Sequence, residues 1–285
     1  MLLKFTKMHG IKNDYIYFNC FEQKIENPEK LAVNFSPRQS GIGGDGIVLI
    51  CPSDIADAKM RMFNLDGSEG KMCGNAIRCV GKYLFDNNIV KKDIITIETL
   101  SGIKILKMII KDNIAEGACV DMGKTELECK KIPVDLPVEK AVGYEKFFGR
   151  ENYKITCVSM GNPHCVVFCE DVDNIEIEKI GPLFEYDKIF PERVNTEFVK
   201  VIDKYTLQMR VWERGSGETL ACGTGACASV VAACENGFCD KNTDIKVILK
   251  GGDLIIRYDD NGKVFMTGPA KKVFDGVIDS EYKGE

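Results

Sequence analysis

Two cysteines in this chain are each followed by glycine at the start of a segment with helical character. They form the pairs Cys73-Gly74 and Cys222-Gly223. A cysteine in the first residues of a helix lies among backbone N–H groups that have no partner inside the helix, and the partial positive charge there lowers the pKa of the thiol. Glycine carries no side chain, so a carboxylate can approach those N–H groups closely. The pattern predicts two reactive thiols, each beside an anion-binding helix terminus.

An internal repeat relates the two cysteines. A shift of 149 residues, the interval between Cys73 and Cys222, aligns residues 60–87 with residues 209–236 without a gap, and six positions are identical. Each copy reads as an apolar strand, a Gly/Asp/Ser loop and then Cys-Gly at a helix start. We therefore predict two similar halves, with the first made of residues 1–121 and 270–285 and the second of residues 122–269.

The apolar patterns around these motifs predict the fold class. The segment Ala226–Cys234 is apolar on nearly every face, which is typical of a buried helix, and Ala76–Phe85 has one broad apolar stripe that leaves Arg78 and Lys82 at its rim. Short strand-like runs surround both helices: 60–63, 94–97, 103–110, 155–158, 207–212, 245–249 and 254–258. We predict an α+β fold in which each half is a curved, largely antiparallel sheet wrapped on a central helix, with the active site in the cleft between the halves.

Two thiols at equivalent places of two repeats could form a reversible disulfide or act as two acid/base groups on opposite faces of one carbon. Redox partners are normally close in sequence or exposed, whereas these cysteines begin buried helices, and this favours acid/base chemistry. One cysteine would be a thiolate and the other a thiol, so that a proton leaves one face and returns to the other. The N–H groups of Gly74, Asn75, Gly223 and Thr224 would hold the substrate carboxylate.

Composition narrows the class of ligand. The formal net charge is −5 and no long run of like charge occurs, which argues against nucleic acid and membrane surfaces and favours a small-molecule substrate. No signal peptide and no apolar stretch of membrane-spanning length is visible, so we expect a cytoplasmic protein with mostly reduced cysteines. The thirteen cysteines include no CxxC pair and the two histidines are far apart, so we expect no metal site. Neither a Schiff-base lysine nor a phosphate cradle for pyridoxal phosphate is apparent, and we expect no cofactor.

Seven motifs in order along the chain carry a family resemblance. They are KMHGIKND, RQSGIGGDG, FNLDGSEGKMCGNAIRC, SMGNPHCVV, FPERVNTEF, WERGSGETLACGTGAC and MTGPA. With these motifs the chain resembles the diaminopimelate epimerase family over nearly its whole length. The resemblance implies two similar α/β halves and a cofactor-independent interconversion of LL- and meso-2,6-diaminopimelate, which feeds lysine and peptidoglycan synthesis. Members of the family often form homodimers.

The resemblance also implies roles for individual residues. Cys73 and Cys222 would be the acid/base pair, and His164 and Glu213 would tune or orient it. The α-carboxylate and amine at the reacting centre would be bound by Gly74, Asn75, Gly223 and Thr224. The rest of the substrate would be held by Asn13, Asn64, Asn162, Asn195, Glu213 and Arg214. Without the resemblance, several of these residues have ordinary alternatives, such as turn or cap positions for Asn64 and Asn195, a solvated charge for Arg214 and a loop hydrogen bond for His164.

Two positions depart from the family pattern, and two other functions remain open. Some members carry Gln where this chain has Gly46, and Lys12 stands where Gly usually precedes Asn-Asp. A proline racemase or hydroxyproline epimerase shares the two-cysteine logic, but its first cysteine usually lies in a CGH context, whereas Gly-Asn follows Cys73 here. A non-catalytic thiol redox sensor is the alternative from another class.

Overall fold

We analysed a computed structural model that describes residues 1–283. The chain divides into two compact units. Unit 1 is Met1–Asp121 together with the C-terminal segment that begins at Thr267, and unit 2 is Met122–Met266. Unit 2 is therefore continuous in sequence, whereas unit 1 is assembled from both ends of the chain.

Unit 1 contains two α-helices and most of its strands before residue 125. In chain order these elements are β1 (Leu2–Gly10), β2 (Asn13–Asn19), α1 (Pro28–Phe35), β3 (Gly46–Cys51), β4 (Ala58–Asn64), β5 (Glu69–Gly70), α2 (Gly74–Asp86), β6 (Ile94–Thr99), β7 (Gly102–Lys111) and β8 (Ile114–Lys124), the last of which continues into unit 2.

Unit 2 repeats this order of elements after a short 3₁₀ helix at Cys129–Lys131. Its elements are β9 (Tyr144–Phe148), β10 (Glu151–Ser159), β11 (Pro163–Phe168), α3 (Ile177–Glu185), β12 (Asn195–Asp203), β13 (Thr206–Glu213), β14 (Gly217–Thr219), α4 (Gly223–Glu235), β15 (Asp244–Leu249), β16 (Gly252–Tyr258) and β17 (Lys263–Pro269), and β18 (Lys271–Asp279) then returns to unit 1.

The repeat predicted from the sequence is confirmed element by element. Helices α2 and α4 are each 13 residues long, and both begin at the glycine that follows the cysteine. Strands β1 and β10 are also related by 149 residues at both ends. Every strand predicted from apolar patterning lies within an observed strand.

The sheet pairing is mixed but largely antiparallel in both units. In unit 1 the strands run in the order β18-β1-β2-β3-β4-β6-β7-β8, with β2–β3 and β4–β6 parallel. In unit 2 the order is β9-β10-β11-β12-β13-β15-β16, with β11–β12 and β13–β15 parallel. Helix α4 contacts strands β10, β11, β12, β13, β15 and β16, as expected for a central helix. The predicted α+β class is confirmed.

In unit 1, alternate side chains along the strands face one of the two helices, and the side chains between them face the other. Ile47 and Leu49 of β3 belong to the core cluster that contains Phe35 of α1. Successive strand side chains point to opposite faces, so residues of the other parity face α2. Tyr17 of β2 shows this, because its hydroxyl donates to the carbonyl of Ala76 in α2 at 3.4 Å. The same rule places odd-numbered β2 residues beside Cys73.

One prediction about the first helix is wrong. Arg78 and Lys82 were expected at an exposed rim, but Arg78 is fully buried and Lys82 is 8% exposed. The Arg78 guanidinium donates to the carbonyl of Gly74 at 3.0 Å and to Oδ1 of Asn75 at 2.9 Å. Lys82 donates to Asp86 and to the carbonyl of Ala115. Both cations are buried because each meets several oxygen acceptors, as the burial of charge requires.

Candidate active site

Cys73 is the N-cap residue of α2. Its backbone is extended, and its sulfur accepts a hydrogen bond from the N–H of Ala76 at 3.5 Å. The first backbone bond of the helix runs from Ile77 N–H to the Cys73 carbonyl, so the N–H groups of Gly74 and Asn75 lie before it. The cysteine therefore lies at the start of the helix, and its thiol is half-buried.

Asn13 connects this thiol to the loop between β1 and β2. In its thiol form Cys73 donates to Asn13 Oδ1 at 3.3 Å, and Asn75 Nδ2 donates to the same oxygen at 3.3 Å. Asn13 Nδ2 in turn donates to Asp45 at 2.6 Å, which fixes the orientation of the amide. The loop itself is a two-residue turn in which Ile11 (φ 47°) and Lys12 (φ 68°) are both left-handed. Lys12 thus adopts the conformation for which glycine is preferred.

Tyr15 completes the environment of Cys73 and was missed by sequence reasoning. It is 5% exposed and lies beside the sulfur. Burial, followed by the charge of Cys73, raises the pKa of the Tyr15 hydroxyl well above its usual value, so it remains protonated and available as a hydrogen-bond donor.

Cys222 occupies the same place in unit 2. It is the N-cap residue of α4, and its sulfur accepts from the N–H of Gly225 at 3.3 Å and lies 3.6 Å from the Thr224 hydroxyl. Cys222 is 5% exposed. Burial, followed by the charges of Glu213 and Glu197, raises the pKa of this thiol well above its ordinary value. The prediction that the helix N-terminus lowers the thiol pKa is therefore wrong for Cys222, where burial and the two carboxyl groups outweigh the helix terminus.

A chain of polar side chains leads away from Cys222. Asn162 Nδ2 donates to the Thr224 hydroxyl at 3.4 Å, and Asn162 Oδ1 lies 3.1 Å from Nε2 of His164. The other ring nitrogen of His164 is 2.7 Å from Oε1 of Glu197, and both side chains are fully buried. A carboxyl group on one imidazole nitrogen fixes the ring orientation and the tautomer.

Glu197 is the second residue that sequence reasoning missed. An added Cβ on Gly225 would come within 2.7 Å of its Oε1, so the carboxyl group lies directly against the first turn of α4. Its Oε2 is buried and has no hydrogen-bond partner within residues 1–283. A buried carboxyl oxygen left unpaired costs about 1–3 kcal/mol, so it indicates a requirement other than stability.

Glu213 ends β13 on the side of the strand that faces α4. The hydroxyl of Thr219 donates to its carboxyl group, and the Cys222 thiol is also within hydrogen-bonding reach. Burial raises the pKa of Glu213 despite these two hydrogen bonds and the nearby His164. Glu213 therefore lies within reach of Cys222, and His164 is linked to Cys222 through Asn162 and Thr224, while the roles predicted for both residues stay predictions.

The remaining predicted substrate contacts make hydrogen bonds within the protein. Asn195 is 4% exposed, donating to the carbonyl of Pro163 at 3.1 Å and accepting from the N–H of Arg214 at 2.9 Å. Arg214 is exposed and donates to the carbonyl of Glu192 at 2.7 Å. Asn64 donates to the Ser68 hydroxyl at 3.0 Å within its turn. The turn alternative therefore describes the contact of Asn64, whereas Asn195 begins β12 and bonds residues that are distant in sequence.

Gly46 occupies in unit 1 the repeat position of Asn195. Its φ is 153°, and an added Cβ would lie 2.1 Å from the carbonyl oxygen of Phe63. With this backbone no side chain can stand at position 46, so the amide found in some family members has no counterpart here.

The family model for diaminopimelate epimerase matches residues 5–128 and 156–273. The chain belongs to the diaminopimelate epimerase family. The diaminopimelate epimerase of Acetivibrio thermocellus is 54% identical over 278 residues, covering 97% of this chain and 99% of the relative. That of Methanococcus maripaludis is 53% identical over 279 residues, covering 97% and 100%.

Family membership confirms the predicted class of enzyme, an isomerase of the epimerase type. The crystal structure of a probable proline racemase from Agrobacterium radiobacter superposes on this chain with a TM-score of 0.68 at 15% sequence identity. The match covers 98% of this chain and 93% of the racemase. That likeness confirms the fold. Within residues 1–283 no helix has the length and apolar character needed to cross a lipid bilayer. Over the same residues, no group of three or more His, Cys, Asp or Glu side chains could hold a metal ion.

Proposed function

We propose that this protein interconverts LL- and meso-2,6-diaminopimelate without a cofactor, with Cys73 and Cys222 as the two acid/base groups. The observation that carries the proposal is the equivalent placement of the two thiols. Each is the N-cap residue of a 13-residue helix, and each is followed by glycine. Cys20 and Cys169 are also related by 149 residues, but neither of them begins a helix.

The reaction needs one thiolate and one thiol on opposite faces of the α-carbon. In one direction the Cys73 thiolate removes the α-proton, and the Cys222 thiol delivers its own proton to the other face. The configuration inverts, and the enzyme is left with a Cys73 thiol and a Cys222 thiolate, which is the state that catalyses the reverse direction. The raised pKa of Cys222 supports the assignment of Cys222 as the resting thiol.

The helix N-termini supply the stabilisation that so weak a carbon acid requires. Negative charge moves from the α-carbon onto the adjacent carboxylate as the proton leaves. The N–H groups of Gly74 and Asn75 on α2, and of Gly223 and Thr224 on α4, are donors held in place before the substrate arrives. Donors preorganised in this way are typically worth about 3 kcal/mol each in the transition state.

His164, Glu197 and Glu213 are proposed to set the charge around Cys222. Glu213 and Glu197 keep the resting thiol protonated, and His164 connects Glu197 to the Asn162–Thr224 pair beside the sulfur. Arg214 and Asn64, which lie in the loops after β13 and at the end of β4, are proposed to bind the distal amino-acid end of the substrate. Asn195 supports Arg214 by holding its backbone N–H.

The test is α-proton exchange in D₂O with LL-diaminopimelate as substrate and proline as the comparison. Wild-type enzyme should place solvent deuterium at the inverted α-carbon of diaminopimelate with no added cofactor, and should leave proline unlabelled. Cys73→Ala and Cys222→Ala should each lose epimerisation by about 10³-fold or more, because each removes an acid/base group. Cys234→Ala, in the last turn of α4, is the matched control and should stay active.

Three outcomes would overturn the proposal. They are near-normal turnover in either alanine variant, a requirement for pyridoxal phosphate, and deuterium exchange into proline but not into diaminopimelate. A reversible thiol switch that accompanies an absence of turnover would instead support a redox sensor.

We further propose a cytoplasmic homodimer that acts in lysine and peptidoglycan synthesis. Exposed apolar residues on β18, among them Val273 and Val277, support self-association, since large exposed apolar side chains on neighbouring positions mark interaction surfaces. Sedimentation equilibrium of the wild type and of Val273→Glu tests the dimer, and a monomeric wild type would exclude it.

A further inference from the structure

Cys20 and Cys51 lie side by side at the ends of two neighbouring strands. Strands β2 and β3 are parallel, with Asn19 opposite Ile50, and the N–H of Cys20 donates to the Ile50 carbonyl at 2.8 Å. The next pair in this register is Cys20 and Cys51. The ladder ends there because residue 52 is proline, which has no N–H.

This register places the two thiols within bonding geometry. Residues opposite each other in a sheet point their side chains to the same face, and adjacent strands lie about 4.8 Å apart. Disulfides join residues whose Cα atoms are about 4.4–6.8 Å apart, a range that includes this strand spacing. Both residues are free, half-buried cysteines.

Cys20 and Cys51 also line a cavity of about 430 Å³ on unit 1. The cavity is bordered by Phe21, Gln23 and the guanidinium-bearing side chain of Arg61. The opening lets a small reactant reach the sulfurs, and the Arg61 guanidinium beside it is paired with Glu69 at 2.7 Å.

The two thiols differ in acidity. The hydrogen bond from Cys20 lowers the pKa of Cys51, and the nearby Arg61 and Lys59 lower it further despite partial burial. The same hydrogen bond and burial raise the pKa of Cys20. Lys59 stands opposite Cys51 in the β3–β4 register, which places a cation beside Cys51, so we assign Cys51 as the member that attacks first and Cys20 as its resolving partner.

We propose that Cys20 and Cys51 form a thiol–disulfide exchange site for low-molecular-weight disulfides, separate from Cys73 and Cys222. The Cys51 thiolate attacks one sulfur of the disulfide RSSR, the S–S bond breaks, and one RS⁻ leaves and is protonated by solvent. Cys20 loses its proton to solvent and attacks the Cys51 sulfur, which releases the second RS⁻. The protein dithiol is oxidised by two electrons and RSSR is reduced to two thiols.

The chain contains two internal controls for this site. Cys157 and Cys165 are also opposite each other, in β10 and β11, but both are fully buried. Cys169 occupies the repeat position of Cys20, yet Lys200 stands where its thiol partner would be. Burial raises the pKa of Cys169 to about 11.

The experiment treats the full-length protein with glutathione disulfide and maps all thirteen cysteines by mass spectrometry under non-reducing conditions. Wild type should give a Cys20–Cys51 disulfide that dithiothreitol reverses. Cys20→Ser should instead accumulate a mixed disulfide on Cys51, and Cys51→Ser should leave Cys20 unmodified. Iodoacetamide should label Cys51 at least about tenfold faster than Cys169 at neutral pH, since Cys169 has about a hundredfold less thiolate than an ordinary cysteine.

The proposed site would be overturned if Cys20 and Cys51 stay reduced, or if a mixed disulfide on Cys51 persists in the wild type. It would also be overturned if Cys157 and Cys165 are oxidised as fast as Cys20 and Cys51. The Cys20→Ser variant should keep full epimerase turnover, because Cys20 follows β2 at the end opposite Asn13. Mapping of the disulfide therefore tests this site whether or not the proposed function holds.

Discussion

Replacing Glu197 by glutamine tests whether this buried carboxyl group sets the acidity of Cys222. The substitution keeps the size and the oxygen that can accept from His164 Nδ1, but removes the negative charge. That charge is among the causes that raise the pKa of Cys222 and of Glu213. Both pKa values should therefore fall in Glu197→Gln.

The effect on stability follows from the contacts of Glu197. The 2.7 Å hydrogen bond to His164 joins two fully buried groups, and hydrogen bonds to charged partners contribute about 1.5–3 kcal/mol. The new amide also places N–H donors where Oε2 has no partner among the described residues. We expect the free energy of unfolding to fall by about 3 kcal/mol.

The assay is the alkylation rate of Cys222 as a function of pH in a Cys73→Ala background, together with the pH profile of kcat/KM with both cysteines present. The limb of the profile that Cys222 governs should move to lower pH in either reaction direction. Glu185→Gln is the control, because Glu185 is equally buried in unit 2 but binds Trp212 Nε1 and the N–H of Gly215. It should lose comparable stability without moving either pH curve.

An unchanged pH curve in Glu197→Gln would refute the reasoning, since the carboxyl group would then be structural only. A shift of equal size in Glu185→Gln would refute it as well, because loosening of the fold would explain both.

Three further changes have outcomes that the structure fixes. Asp14→Asn should lower the free energy of unfolding at pH 7 by about 3 kcal/mol, because Lys7 is buried and pairs with Asp14 at 2.5 Å. Burial raises the Asp14 pKa, but the hydrogen bonds from Arg38 and Lys7 outweigh it and the pKa is lowered, so this stabilisation is present above the unfolded-state pKa and is lost as the pH falls through the folded-state pKa. Urea titrations of wild type and variant should therefore differ at pH 7 and converge at about pH 3. Gly46→Ala should lower the free energy of unfolding, measured by thermal unfolding, by about 3 kcal/mol, because the added Cβ meets the Phe63 carbonyl. Gly102→Ala, at φ 89° with nothing within 4 Å, should lower it by only about 1 kcal/mol, and equal decreases would show that the clash with Phe63 is absent. Lys12→Gly should raise the free energy of unfolding by about 1 kcal/mol because it removes a left-handed side chain, and a decrease in denaturant midpoint would contradict this.

The sequence predicted the features that depend on local periodicity. Helix α4 is apolar on all sides and is buried on all sides, and both helix starts lie within a few residues of their expected places. Those patterns succeed because a 3.6-residue or 2-residue period reports directly which face meets the core. The 149-residue repeat succeeded for a similar reason, since both copies keep the same elements in the same order.

The misses involve polar side chains whose partners are distant in sequence. Arg78 reads as a rim residue on a helical wheel, but the carbonyls and amide that surround it are visible only in three dimensions. Glu197 lies two residues after Asn195, a spacing that places both on one face of β12, and this period could have drawn attention to it. Tyr15 is the repeat partner of His164, so the offset that linked the cysteines could have identified it too.

Unit 1 is built from both ends of the chain, and this has a consequence for biosynthesis. Strand β18 pairs with β1 along eight residue pairs, and the Met1 ammonium group binds Asp279 at 3.2 Å. On the ribosome, β1 emerges first but must wait for nearly the whole polypeptide before its partner strand is made. Unit 2 is contiguous and can close its core while the tail of unit 1 is still being translated. A premature stop shortly after residue 266 would therefore leave Cys222 in a complete unit 2, whereas Cys73 would lie in a unit 1 that lacks its edge strand β18.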